Sequence, residues 1–180
     1  MIPPVLETEN LVIRAFERKD LEIFTQYRSQ EMVAKYQSWT NYTYQDAIEF
    51  FEGMDYSTFG TEGNWYQLAI SSLDSDELVG DLAVHFIDQD QIEIGFTVAP
   101  QHQGKNVASE AVSRFLRYVF GELNKHRVVA TTDADNTASY RLLEKLAFRR
   151  EGHVIQNIFF KGAWGDEYQY ALLRSEQKIT

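Results

Sequence analysis

Between residues 107 and 120 the apolar side chains fall at 107, 108, 111, 112, 115, 116, 119 and 120. Steps of three and four that never lapse over four turns put one continuous apolar stripe on a helix, and such a stripe must be buried against another layer. Gly121 follows where a C-terminal cap belongs. What precedes the helix names the other layer. Gln91 to Val98 reads as a strand, Pro100 ends it, and the polar stretch Gln101–Asn106 joins the two. A strand, a short turn and a long buried helix place the chain among layered α/β folds.

The remaining segments extend that order. Leu11 to Phe16 reads as a first strand. Asp20 to Gln30 and Tyr44 to Met54 read as helices, the second with Thr43 as N-cap. Trp65–Ser71, Leu78–Ile87 and Gln91–Val98 are strand-like runs separated by Asp74-Ser75-Asp76 and Asp88-Gln89-Asp90, whose side chains favour turns. Links so short imply an antiparallel meander. Arg127–Thr132 is a further strand and Asn136–Leu146 a helix. Val154–Phe160 and Glu167–Leu173 are strands joined by a hairpin loop, Lys161–Gly165. These runs predict one domain over 1–180, with a mixed, mostly antiparallel sheet of seven strands and four helices packed on it.

The charge balance narrows the function. With 27 acidic and 17 basic residues the net charge is -10. Such a surface repels nucleic-acid backbones and attracts cations, which suits an amine substrate better than an anion. There is no cysteine, so there is no disulfide, thiolate metal site or cysteine nucleophile. The four histidines show no metal-ligand spacing, and no metal is expected. No run is long enough for a membrane span and the N-terminal segment lacks signal-peptide features, so a cytoplasmic protein, monomer or homodimer, is expected. Tyr42, Tyr44, Phe50, Phe51, Tyr56, Phe59, Trp65 and Tyr66 crowd together, either as core or as the lining of a slot for a flat or cationic ligand.

The turn before the long helix carries the chemistry. The first turn of a helix offers unpaired N–H groups and the positive end of the macrodipole, an anion site. Gly104 lets backbone approach an anion closely and Lys105 adds positive charge. A nucleotide P-loop is excluded, because Ala99 and Asn106 stand where that motif needs Gly and Ser or Thr.

Gln101-His102-Gln103-Gly104-Lys105-Asn106 resembles the Gln/Arg-x-x-Gly-x-Gly/Ala cofactor loop of the GNAT superfamily of acetyl-coenzyme A-dependent N-acetyltransferases. The likeness continues through Asp135–Ser139, Leu143–Gly152, the closing hairpin with Trp164 and Asp166, and the opening Leu6–Arg14. Together these look like the branch containing the ribosomal-protein alanine N-acetyltransferases (RimJ/RimL-like). The resemblance implies the GNAT fold and acetyl transfer from acetyl-coenzyme A directly to a primary amine, on a protein N-terminus or a small cationic molecule. Two rival readings are a catalytically weak or inactive acyl-coenzyme A-binding module and a partner-binding domain with no cofactor.

Residue by residue, the resemblance implies that backbone N–H groups of Gln103, Gly104, Lys105, Asn106, Val107 and Ala108 hold the cofactor pyrophosphate. Pantetheine then lies between the strand ending at Val98 and the strand from Arg127, paired with backbone at Thr97 and Val98, and Asn136 bonds it from the head of the last helix. The Val98 amide is placed to polarise the thioester carbonyl. Many members use a tyrosine seven residues after the asparagine as proton donor, and this chain has Leu143 there. Ser139, matching a serine of the ribosomal-protein branch, is the candidate donor; its alternative role is helix capping. Glu93, Gly95 and Thr97 share one strand face, and Glu93 is the candidate base, with a solvated carboxylate or ion pair as the alternative. Asn106 replaces the small residue usual in the loop but tolerates left-handed backbone. Ala147 stands where Leu-Gly-Phe is usual, which reads as a packing change. Lys35 to Gly63, outside the cofactor motifs, is expected to shape the acceptor cleft.

Overall fold

The computed structural model describes residues 1–177. Eight strands form one sheet in the order β1-β2-β3-β4-β5-β6-β8-β7. They are β1 (Leu6–Glu7), β2 (Leu11–Ala15), β3 (Trp65–Ser72), β4 (Leu78–Phe86), β5 (Gln91–Val98), β6 (Arg127–Asp133), β7 (Arg149–Phe160) and β8 (Ala163–Leu173). Every neighbouring pair is antiparallel except β5 and β6, which are parallel. The helices are α1 (Leu21–Arg28), α2 (Glu31–Ala34), α3 (Tyr44–Glu52), α4 (Val107–Gly121) and α5 (Thr137–Lys145). The meander and the β5–α4–β6 crossover are as the sequence predicts. The additions to seven strands and four helices are β1 and α2, of two and four residues, too short to show a period.

The two faces of the sheet carry separate cores. On one, Leu82, Val84, Ile92, Ile94 and Val128 meet the predicted stripe of α4, with Ala111, Val112, Phe115, Leu116 and Val119 buried. Leu143 of α5 and Phe148 join that layer. On the other, Ala69, Leu78 and Ala99 pack with Phe16, Phe24 and Tyr27 from α1 and its approach and with Ala47 of α3. Thr43 caps α3 as expected: its hydroxyl accepts from Asp46 N at 3.2 Å and the Asp46 carboxylate accepts from Thr43 N at 2.7 Å.

Three local expectations are corrected. Gly121 is the last helical residue of α4 and not its cap; the left-handed turn falls at Asn124, φ 55°. The last hairpin turns on two residues, Lys161 and Gly162, both with positive φ and flanked by the pair Phe160–Ala163, because two left-handed residues match the twist of the strands. Ala147 is a backbone substitution, not a packing change. It ends α5 with φ 68° in a Schellman motif, in which Phe148 N donates to Leu143 O at 2.9 Å and Ala147 N to Glu144 O at 3.0 Å. A Cβ in that conformation costs about 1–2 kcal/mol. Ala147→Gly is therefore expected to stabilise the protein by about 1 kcal/mol, raising Tm by roughly 2–4 °C. Thermal melts of the two proteins check this, and an unchanged or lower Tm would count against the strain.

Candidate active site

The site begins where β5 leaves β6. The two strands pair only over Gln91–Glu93 and Arg127–Val129, after which they part. Ala99 N donates to Val79 O at 2.9 Å, so by alternation Thr97 and Gly95 also turn their backbone toward β4, while Val98 and Phe96 turn theirs toward the gap. Val98 thus presents its backbone to the gap. Thr97 is corrected: its backbone pairs with Asp81 of β4, and its side chain, at 3.4 Å from Gln37 Nε2, is what faces the cleft.

At one mouth of the gap lies the start of α4. Gly104 and Asn106 both have left-handed backbone, φ 72° and 64°. A Cβ at Gly104 would meet nothing within 4 Å, so glycine serves the turn's backbone there and not its packing. Asn106 is the N-cap residue yet makes no capping bond; its Oδ1 accepts from Lys145 Nζ at 3.2 Å. The amides of the first turn of α4 therefore have no side-chain acceptor among the described residues, and Gln103 through Ala108 form an exposed to half-buried rim around them. Gln103 itself donates to Val98 O at 3.1 Å.

Beyond the gap opens a cavity of about 670 Å³, within the range of small-molecule sites. Its near wall is Thr97, Asp133, Asn136, Ser139 and Leu143, and its far wall is Tyr36, Trp39, Tyr42, Asp46 and Phe50. The segment expected to shape an acceptor cleft does line it. The aromatic crowd divides: Phe59 and Tyr66 are core, while Tyr42, Phe50 and Trp65 face the cavity. The far wall is tied across the cleft. Lys161 donates to the carbonyls of Ala34 and Trp39, the latter at 2.9 Å, and Tyr36 donates to Asp135 O at 3.2 Å.

Asn136 and Ser139 are brought together at the head of α5. The Asn136 Oδ1 accepts from Ser139 N at 3.3 Å, so capping is the work of Asn136, and the Ser139 hydroxyl makes no hydrogen bond among the described residues. That hydroxyl sits in the first turn of a helix, where the macrodipole favours negative charge nearby. Glu93 lies on the same face as Gly95 and Thr97, as alternation requires, but is not itself among the residues lining the cavity, although Trp65 in the same cross-strand row is. Its Oε2 stands 3.5 Å from His85 Nδ1, a buried nitrogen without a hydrogen bond, and His85 is stacked on Trp65 with ring centres 4.7 Å apart. Gly95 leaves the space between Glu93 and the cavity free of a side chain. His153 is engaged elsewhere, 2.7 Å from Asp166.

Sequence reasoning missed the floor of the cavity. Asp81 of β4 is 1% exposed and accepts from the Tyr27 hydroxyl and from Gln67 Nε2. Burial pushes its carboxyl above the usual range, opposed by the nearby Arg28 guanidinium. The available signal was a charge in an otherwise apolar strand run, and Arg28 four residues after Phe24 on the buried side of α1. Facing each other across β6 and β8 are two further carboxylates, Asp133 and Glu167, both lining the cavity. Like charges directly opposed in a sheet are unfavourable unless a cation lies between them.

A model of the GNAT acetyltransferase domain matches residues 10–149. The chain belongs to the GNAT acetyltransferase family. It is 34% identical over 172 residues to the uncharacterized N-acetyltransferase YnaD of Bacillus subtilis, covering 95% of this chain and 98% of that one. It is 25% identical over 166 residues to the spermidine N(1)-acetyltransferase of Vibrio cholerae, covering 92% and 94%. The crystal structure of a GNAT-family acetyltransferase from Bacillus anthracis superimposes with a TM-score of 0.85 at 34% identity, over 96% of this chain and 100% of that one. The chain is thus an acetyl-coenzyme A-dependent N-acetyltransferase with the mixed α/β fold of its family. The relatives' names include both spermidine N(1)-acetyltransferase and ribosomal N-acetyltransferase, and the ribosomal-protein branch is not singled out among them. Among the described residues no helix is long and apolar enough to cross a membrane.

Proposed function

We propose that the protein transfers acetyl from acetyl-coenzyme A directly to the primary amine of a small cationic molecule bound in the cavity beyond the β5–β6 gap. The observation that carries this is the paired arrangement of an anion site and an acidic cleft on one strand gap. The uncapped amides of α4 stand at one mouth, and Asp133 opposite Glu167 stands at the other. The residues fit coenzyme A, with one correction: the Gln103 amide is taken by the Pro100 carbonyl at 3.2 Å, so the orphan amides that would hold the pyrophosphate run from Gly104 to Ala108, while the gap-facing backbone of Phe96 and Val98 would hold the pantetheine and Asn136 its amide groups. When bound, the cosubstrate supplies an acetyl thioester.

The chain's own groups then divide the work. The carboxylates of Asp133 and Glu167 draw the ammonium form of the acceptor into the cleft. Glu93 takes the proton that the amine must lose, relayed through water across the space left by Gly95. The Val98 amide donates to the thioester oxygen as negative charge grows there. Ser139 gives a proton to the departing thiolate beside the positive end of α5 and regains one from the second proton that the attacking nitrogen sheds as the amide forms. The name of the spermidine acetyltransferase relative supports a small amine over a protein N-terminus. A protein acting on soluble amines with coenzyme A works in the cytoplasm.

Coenzyme A release, read as free thiol, across polyamines, diamines, amino acids, aminoglycosides and alanine- or serine-started peptides tests this reading. Turnover confined to small amines is expected. Turnover on the peptides alone would return the acceptor to the ribosomal-protein branch, and silence on every amine with coenzyme A still bound would favour the inactive binding module.

A further inference from the structure

Among the residues lining the cavity four carry carboxylates, Asp46, Asp81, Asp133 and Glu167, and one carries a cation, Arg28. Arg28 is 6% exposed. Its guanidinium is held between rings, with its central carbon 4.1 Å from the centre of Phe24 and 3.9 Å from that of Trp39, so the rings occupy its faces and its polar contacts must be made in its plane. A planar edge of N–H donors matches a carboxylate.

Among the described residues the guanidinium forms an ion pair with Asp81 but makes no hydrogen bond. Asp81 Oδ1 stands 3.6 Å from Arg28 Nη2, beyond hydrogen-bond length, and both Asp81 oxygens are already served by neutral donors, Tyr27 and Gln67. Arg28 Nε is buried with no hydrogen-bond partner among the described residues. The Tyr42 hydroxyl is likewise buried and makes no hydrogen bond of normal geometry among the described residues, Arg28 being the donor nearest to serving it, and its ring centre lies 5.4 Å from the guanidinium carbon. A buried guanidinium balanced in charge but unfilled in hydrogen bonds, beside an unfilled hydroxyl, calls for oxygen acceptors supplied from the cavity.

We propose that Arg28 and Tyr42 form a subsite for a carboxylate on the amine acceptor, so that the acceptor belongs to the amino-acid class and not to the plain polyamines. This rests on the small-amine reading above and sharpens it. The cavity is then bipolar: ammonium is drawn to Asp133 and Glu167 beside Ser139, and carboxylate is held at Arg28 on the floor contributed by α1.

The test compares amines that differ only in the carboxylate. L-lysine and cadaverine, and L-phenylalanine and phenethylamine, are titrated calorimetrically into protein saturated with coenzyme A, so that binding is read apart from turnover. In each pair the carboxylate-bearing member is expected to bind on the order of tenfold more tightly or better. Arg28→Lys, which keeps the charge but loses the planar edge, and Tyr42→Phe, which keeps the ring, are each expected to shrink that ratio. Tyr42→Phe also serves if Arg28→Lys fails to fold, as circular dichroism would show. Equal or tighter binding of the decarboxylated amines, a ratio untouched by both variants, or no binding by any of the four would overturn the subsite. Arg28-dependent binding without acetylation would support the subsite while refuting the acceptor reading it rests on.

Discussion

Replacing Ser139 with alanine is expected to lower kcat by about a hundredfold or more at saturating substrates, the usual contribution of a positioned general acid, with KM for acetyl-coenzyme A changed by no more than about twofold. The reasoning is local. Ser139 lines the cavity and its hydroxyl makes no hydrogen bond among the described residues, so alanine removes no contact that holds α5. The cap belongs to Asn136, whose oxygen accepts from the backbone of residue 139 whatever its side chain. Alanine is also the better helix former, so stability should not fall. An acetyl donor with a more acidic thiol should lose less rate in the variant, because its leaving group needs less help. A wild-type kcat for Ser139→Ala would remove this residue from the chemistry.

The second large effect is on stability and comes from Arg14. Its guanidinium grips Asp20 with both ends, Nη1 to Oδ2 at 2.7 Å and Nη2 to Oδ1 at 3.0 Å, and Asp20 is 2% exposed. The same group reaches Asp76 in the turn between β3 and β4 at 3.1 Å, so one side chain joins β2, the start of α1 and that turn. Hydrogen bonding to Asp20 raises the Arg14 pKa further above its ordinary value. Arg14→Met strands the Asp20 carboxylate in the interior, which typically costs about 3–5 kcal/mol and would lower Tm by on the order of 10 °C. Thermal and urea melts measure it. Since the cost lies in the stranded charge, Arg14→Met combined with Asp20→Leu should recover much of the loss. A double variant no more stable than the single one would place the cost in something other than the unpaired carboxylate.

What the chain discloses before folding follows the range over which each feature acts. The stripe of α4, the Thr43 cap and the β3–β4–β5 meander depend on neighbours within a turn or a hairpin, and all three are in place. The left-handed Asn106 is also local, since asparagine tolerates that conformation where most residues do not. Ala147 is the instructive failure. The glycine usual at this place in the family was the signal, but alanine itself gives no hint of a positive φ, and the Schellman bonds to Leu143 and Glu144 show that the chain keeps a glycine conformation without a glycine. Thr97 was placed on the right strand and the right face, but which way its backbone turns depends on hydrogen-bond phase with β4, which residue order does not encode. The cavity floor was hidden for another reason: Tyr27 and Asp81 are 54 residues apart, and no periodic pattern connects them. The same holds for the Lys161 tie to Ala34, across 127 residues.

A crystal structure of the protein with coenzyme A tests directly whether the chemistry belongs at the β5–β6 gap. The pyrophosphate should sit on the amides of Gly104 to Ala108, the pantetheine should bond the backbone of Phe96 and Val98, and the sulfur should lie within hydrogen-bond reach of the Ser139 hydroxyl. A cofactor bound outside the gap, or a sulfur directed away from Ser139 and the cavity lined by Asp133 and Glu167, would contradict the assignment.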